Sequence, residues 1–207
     1  ADLTVDFAAS LQMKVTGSVE GTASVTYGSG PSAVTVTGVL LSAGPVAIAG
    51  SAEFALTRQT ADVDTDASGT PDLLGATVDE VALRLTGAHV YVDGVADLTV
   101  SGALAVARVT PSGAGATARY TALKMGDVIV TVRAQPAGDF GLTGTLSIKS
   151  LNLNSAATGF ARLNWARAFD FNGDGTKDLL NPGAALPTPA DLTVDFAASL
   201  QMKVTGS

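Results

Sequence analysis

Two short acidic stretches hold the residues whose types and spacing could do chemistry. Residues 64–74 read DTDASGTPDLL and residues 170–180 read DFNGDGTKDLL, so both fit D-x-[DN]-x-[DS]-G-T-x-D-L-L. Oxygen ligands at alternate positions, a glycine at the sharp turn, a backbone carbonyl after it and one further oxygen are how a short loop wraps a hard dication. Alternation points the side-chain oxygens toward one centre, and the following leucine pair anchors the loop to a core. In the second loop this assigns Asp170, Asn172, Asp174, the Thr176 carbonyl and Asp178 as ligands. In the first it assigns Asp64, Asp66, Ser68, the Thr70 carbonyl and Asp72, with Asp62 as a reserve carboxylate. Carboxylates crowded this closely repel one another unless a cation neutralises them, and an all-oxygen set suits Ca2+. The competing account is a pair of solvated Asx-turns, which Asp, Asn, Ser and Gly favour without any metal.

Both loops depart from the EF-hand at its twelfth position, where Gly75 and Asn181 stand in place of the bidentate glutamate. The second loop instead resembles the calcium loops of FG-GAP (integrin-propeller) repeats, which share DFNGDG-x-x-DLL and use the carboxylate at the ninth position. The resemblance covers eleven residues, and the separation of 106 residues between the two loops argues against a propeller. What it implies is a calcium staple in a β-hairpin, not a switch between helices.

The elements that must position these loops are repeats and strands. Residues 1–18 and 190–207 are the same eighteen residues, ADLTVDFAASLQMKVTGS, so the chain contains one period of 189 residues and the opening of the next. We read this as a natural tandem array, in which units chain or stack end to end. A fainter period lies inside it. ADLTV recurs at 1–5, 96–100 and 190–194, TVTG (35–38) falls opposite TVRA (131–134), and IAGSAEF (48–54) falls opposite LTGTLSI (142–148). The expected organisation is a half-repeat over 1–95 carrying the first loop, a second over 96–189 carrying the second loop and a Pro-rich junction at 181–189, and at 190–207 the first strand of the next repeat. Each half has the size of a small β-sandwich.

Every odd position from Leu3 to Tyr27 is apolar or glycine, while the even positions carry Asp2, Thr4, Asp6, Ser10, Gln12, Lys14 and Thr16. Period two means strand with one buried face. The same alternation recurs in 34–56, 81–92, 98–106, 128–132 and 140–148. Such runs exceed a straight strand, so they must bend or break. Gly17, Gly38, Gly50, Gly87, Gly102 and Gly144 lie on the apolar face, either kinking the sheet or filling tight core space. Segments 27–32, 42–45, 110–116 and 134–139 have turn chemistry, and NPGAALPTP (181–189) reads as a semi-rigid spacer between repeats.

Composition excludes several classes. The chain is 46% hydrophobic, too apolar for a disordered linker, yet its uncharged runs are broken by Gly, Ser and Thr and none is a membrane span. A net charge of −7 with 12 basic residues leaves nothing to neutralise phosphates, so no nucleic-acid partner is expected. The absence of cysteine excludes disulfides and thiolate metal sites. His89, the one histidine, lies in an alternating strand with no nucleophile motif beside it, which argues against an enzyme. Trp165, with Phe160, Leu163, Phe169 and Phe171, reads as a local core at the base of the second loop rather than a carbohydrate platform.

These observations predict an all-β chain of tandem antiparallel β-sandwich-like repeats whose long bent strands form an extended rod or filament, with a β-solenoid as the alternative. The design resembles the tandem repeats of very large secreted bacterial surface adhesins and of matrix or filament proteins. That resemblance implies a structural, extracellular or cell-surface module of a biofilm matrix, filament or adhesin, rigidified by Ca2+. Its partners would be neighbouring repeats or copies of itself, and cell-surface or matrix components. The alternative function is a ligand- or glycan-binding β-sandwich. The strict alternation over 1–27 needs partners on both strand edges, which points to strand sharing between repeats.

Overall fold

The computed structural model describes residues 4–5, 10–93, 96–113, 116–132 and 145–207. Gly144, the 134–139 turn and the first part of the 140–148 alternation lie outside the described residues. The strands in chain order are β1 (Thr4–Val5), β2 (Leu11–Glu20), β3 (Ala23–Tyr27), β4 (Val34–Ala43), β5 (Val46–Val63), β6 (Leu73–Val92), β7 (Ala96–Thr110), β8 (Tyr120–Val132), β9 (Thr145–Ala156) and β10 (Met202–Gly206). They form one antiparallel sheet in the order β1-β2-β5-β6-β7-β8-β9-β10, with β4 joined to β5 and β3 joined to β4. The sheet is open, and a second sheet is not among the described residues. β6 and β7, on either side of residue 95, pair from Val92↔Ala96 to Thr77↔Thr110, so strands of both halves share the one sheet.

The long strands exist because four of them break register instead of ending. Neighbouring strands slip between Ala49 and Ser51, between Leu85 and Ala88, and between Ser101 and Ala103. Each slip adds a residue on one side only, which bends the strand and raises its twist. Gly50 and Gly102 sit at two of these bulges with φ of +119° and +144°. A Cβ on Gly102 would lie 2.7 Å from the Val128 Cα, so the neighbouring backbone comes closer there than a side chain permits. Gly38 and Gly87 also have positive φ, so four of the six glycines picked out by pattern do bend the sheet. Gly17 pairs in register with Phe54 and marks no slip.

The two faces of the sheet differ in side-chain size. On the inner face Ala55, Ala82 and Ala105 stand side by side in register and are buried, with Ala107 and Ala122 beside them. The outer face carries the row Val15, Leu56, Val81, Val106, Leu123 and Leu153, aligned strand by strand. The apolar face of β2 predicted to be buried belongs to this outer face, and Met13, Val19 and Val81 are exposed among the described residues. The core forms on the alanine side because small side chains let a covering layer approach the sheet backbone, where packing density is high.

That covering layer is the segment 157–201, which has little regular structure: a 3-10 turn at Pro182–Ala185 and the isolated bridges Phe169↔Asp178 and Leu180↔Val194. Its Leu163, Trp165, Phe169, Leu180, Val194 and Phe196 are buried against Val63, Val78, Val109 and Tyr120 of the sheet. Leu186 and Leu192 pack on the three aligned alanines. The Pro-rich stretch is therefore part of the core: Pro182, Gly183 and Leu186 are buried within it. A smaller cluster of Tyr27, Val36, Val39, Ala47, Ala49 and Tyr91 closes the far end of the sheet, with the two tyrosine rings 5.1 Å apart.

Candidate metal centre

The first loop joins the ends of β5 and β6, and the second lies in the covering segment, yet the fold brings them together. The Asp64 N–H donates to the Ala168 carbonyl at 3.0 Å, and the Lys177 ammonium lies 3.8 Å from the Asp64 carboxylate. Asp64 is almost completely buried, whereas Lys177 is about one-quarter exposed. Sequence reasoning missed Lys177 because it occupies the variable eighth position of its motif, where no ligand is expected.

Within each loop the carboxylates bind their own backbone in matching patterns. Asp64 accepts from the Ser68 and Gly69 N–H groups at 3.0 and 2.8 Å, and Asp170 accepts from those of Gly173 and Gly175 at 2.7 and 2.9 Å. Asp72 accepts from the Thr65 N–H at 2.7 Å, and Asp178 accepts from the Phe171 N–H at 2.7 Å. The residues between them form successive Asx-turns. Asp66 accepts from the Ser68 N–H, Asn172 from the Asp174 N–H, and Asp174 from the Thr176 N–H. Thr70 turns its N–H toward the Ser68 hydroxyl, whose own proton faces the Thr70 carbonyl. Asp62 caps the Gly75 N–H at 2.7 Å, outside the ring of the first loop. Hydrogen bonds from Ser68, side chain first and then backbone, hold Asp66 below the usual carboxylate range. The Thr176 N–H does the same for Asp174.

Positive φ at Gly173 and Gly175 lets the second loop curl tightly enough for these bonds to form. A carboxylate oxygen has two acceptor sites and one N–H occupies one of them, so the loops keep oxygen lone pairs for a cation. The donor set is of the right kind for calcium, all oxygen and anionic. Among the described residues, though, no three acidic or imidazole side chains are gathered closely enough to hold a metal ion as placed. Closure on an ion requires side-chain rotation within an existing backbone turn. The second loop fits better, because in the first the Lys177 ammonium already stands beside Asp64.

The base of the second loop is built on aromatic residues. Trp165 and Phe169 are buried with centroids 5.9 Å apart, and Phe169 stacks on Phe171 at 5.2 Å. The Trp165 indole N–H donates to the Asn154 side-chain Oδ1 at 3.0 Å, so this tryptophan plugs the core and offers no exposed platform. Asn154, buried on β9, also donates to the Leu163 and Ala197 carbonyls at 2.9 and 3.2 Å. Other sheet residues clasp the covering segment. Glu53 accepts from the Thr188 N–H and hydroxyl, Arg84 donates to the Thr188 carbonyl, and Lys124 donates to the Thr193 carbonyl at 2.6 Å. No sequence signal singled these out, since each looks like an ordinary polar strand position. His89 pairs with Asp97 at 2.5 Å between β6 and β7.

The chain matches no protein-family model, and neither the curated proteins nor the solved structures yield a match to it.

Proposed function

We propose that this chain is a structural unit of a secreted or cell-surface filament, matrix or adhesin protein, and that calcium at the acidic loops fastens its covering segment to its sheet. The observation that carries this reading is the contact of Asp64 in the first loop with Lys177 of the second loop and with Ala168 just before it, at the place where the covering layer meets the end of β5. The segment 157–201 has few ladder hydrogen bonds of its own. A cation bound to Asp170, Asn172, Asp174, Thr176 and Asp178 would supply charge neutralisation there. Binding free energy of an ion that prefers the folded chain adds directly to folding stability. Calcium is scarce inside cells and abundant outside, so such a unit would stiffen on export.

The test is thermal unfolding of residues 1–207 in millimolar calcium and again with chelator, with Asp170→Asn and Asp178→Asn as controls. The expected result is a lower melting temperature in chelator and a diminished calcium response in the two variants, which alter the second loop alone. Identical melting in both solutions would reduce the loops to Asx-turns and remove calcium from the function.

A further inference from the structure

The eighteen residues that occur twice are used in two different ways, and the two uses are complementary. The first copy supplies β2, paired to β5; the second supplies β10, paired to β9 at the opposite end of the sheet. Six antiparallel steps separate β2 from β10, so both run in the same direction.

Both copies also present the same side chains to the same face. Val15 lies in register with Leu56, and its counterpart Val204 lies in register with Leu151, whose row continues through Met125, Leu104 and Leu83 to Phe54. Phe54 and Leu56 are two residues apart on one strand, so both rows belong to the outer face.

Their hydrogen-bonding edges are opposite. In β2 the Gly21 N–H donates to the Gly50 carbonyl, and register is unbroken from Met13 to Glu20. Met13, Val15 and Gly17 therefore turn their N–H and C=O groups toward β5. In β10 Ser207 exchanges both hydrogen bonds with Ser147 at 2.9 Å, and the Gln201 carbonyl accepts from the Asn154 N–H. Lys203 and Thr205 therefore face β9, while Met202, Val204 and Gly206, the counterparts of Met13, Val15 and Gly17, face away from it. Each copy leaves to other partners the edge that the other copy uses. In the first copy that edge is paired to β1, at Thr4↔Thr16 and Val5↔Val15. The counterparts of β1 in the second copy, Thr193 and Val194, lie in the covering layer, with Val194 bridged to Leu180.

We infer that one such segment serves two successive units at once: its 190–196 part fills the core of the preceding unit, and its strand lies between β9 of that unit and β5 of the next. The sheet then continues without an edge from unit to unit. The outer apolar row that enters at Val15 leaves at Met202, the counterpart of Met13, so each unit is offset from the last by two residues, roughly 7 Å along the strands. The partner is a second copy of this chain, placed in line. The inference rests on reading the chain as a unit of an array and does not depend on calcium.

The experiment compares residues 1–207 with a two-unit chain in which residues 19–207 follow Ser207, so that 190–207 is common to both units. Amide hydrogen exchange is read residue by residue. In the single unit Lys203 and Thr205 are protected while Met202, Val204 and Gly206 exchange freely. In the two-unit chain the latter three slow by roughly a hundredfold or more, because their N–H groups now sit within a ladder. Val204→Pro, which removes only the outward N–H, leaves the melting of the single unit nearly unchanged but lowers that of the second unit in the pair. Free exchange at Met202 and Val204 in a folded two-unit chain overturns the inference and leaves an array of separate units. A neutral Val204→Pro in the pair, or a pair that fails to fold where the single unit folds, overturns it as well. Calcium response is measured separately on the single unit, so failure of the loops and failure of the shared strand are told apart.

Discussion

Glu80 gives the stability of this protein a pH dependence that can be worked out from its surroundings. It lies on β6 in register with Thr57 and Ala107, facing the covering segment, and is only 8% exposed. Burial disfavours its charged form and raises its pKa from 4.5 to about 7, against the opposing effect of a 3.1 Å hydrogen bond from the Gln59 amide. Below pH 4.5 the carboxyl is neutral in both folded and unfolded chains, and its contribution to stability is fully present. Between there and about pH 7 the unfolded chain releases its proton first, and each pH unit removes about 1.4 kcal/mol. Above pH 7 about 3 kcal/mol has been lost. Glu80→Gln keeps the acceptor for Gln59 and cannot ionise. Urea unfolding followed by Trp165 fluorescence, the one tryptophan and a buried one, measures the difference. The variant should match the parent near the acid end and exceed it by about 3 kcal/mol in mildly alkaline buffer. Stability curves that run parallel across this range would show that Glu80 stays charged and hydrated, and would refute the argument.

Other substitutions test the remaining features. Asn154→Ala leaves the Trp165 indole N–H and the Leu163 carbonyl without their partner in the core, and should cost about 2–4 kcal/mol in urea unfolding. Gly102→Ala forces a Cβ into the Val128 backbone and should cost more than Gly87→Ala, where nothing lies within 4 Å and only the left-handed strain of about 1–2 kcal/mol applies. Lys177→Met leaves buried Asp64 without its neighbouring cation. It should lose roughly 1–3 kcal/mol in chelator, between exposed and buried ion pairs, and bind calcium more tightly by titration calorimetry.

Much of this was legible in the sequence, because it depends on local chemistry. Period-two alternation dictates strands, and mid-strand glycines at Gly50, Gly87 and Gly102 dictate where they bend, since only glycine reaches those backbone angles without strain. The spacing of Asp, Asn, Ser and Gly in the two loops dictates tight turns with inward oxygens, and the Asx-turns at Asp66, Asn172 and Asp174 follow from it. The identity of 1–18 and 190–207 is visible by inspection.

What the sequence could not decide is which partner each of these features meets. Apolar alternation marks two faces but not which one is covered. The core lies on the alanine face because Leu163, Trp165 and Phe169, which follow the last residue of β8 by 31, 33 and 37 positions, fold back over it. The Pro-rich stretch has the composition of a spacer in either setting; Leu186 and Leu192 make it core by landing on Ala55, Ala82 and Ala105. Asp64 and Lys177 meet only once the covering layer has docked. The same eighteen residues pair through one edge at β5 and the other at β9, since a strand offers two hydrogen-bonding edges and only tertiary structure assigns a neighbour to each.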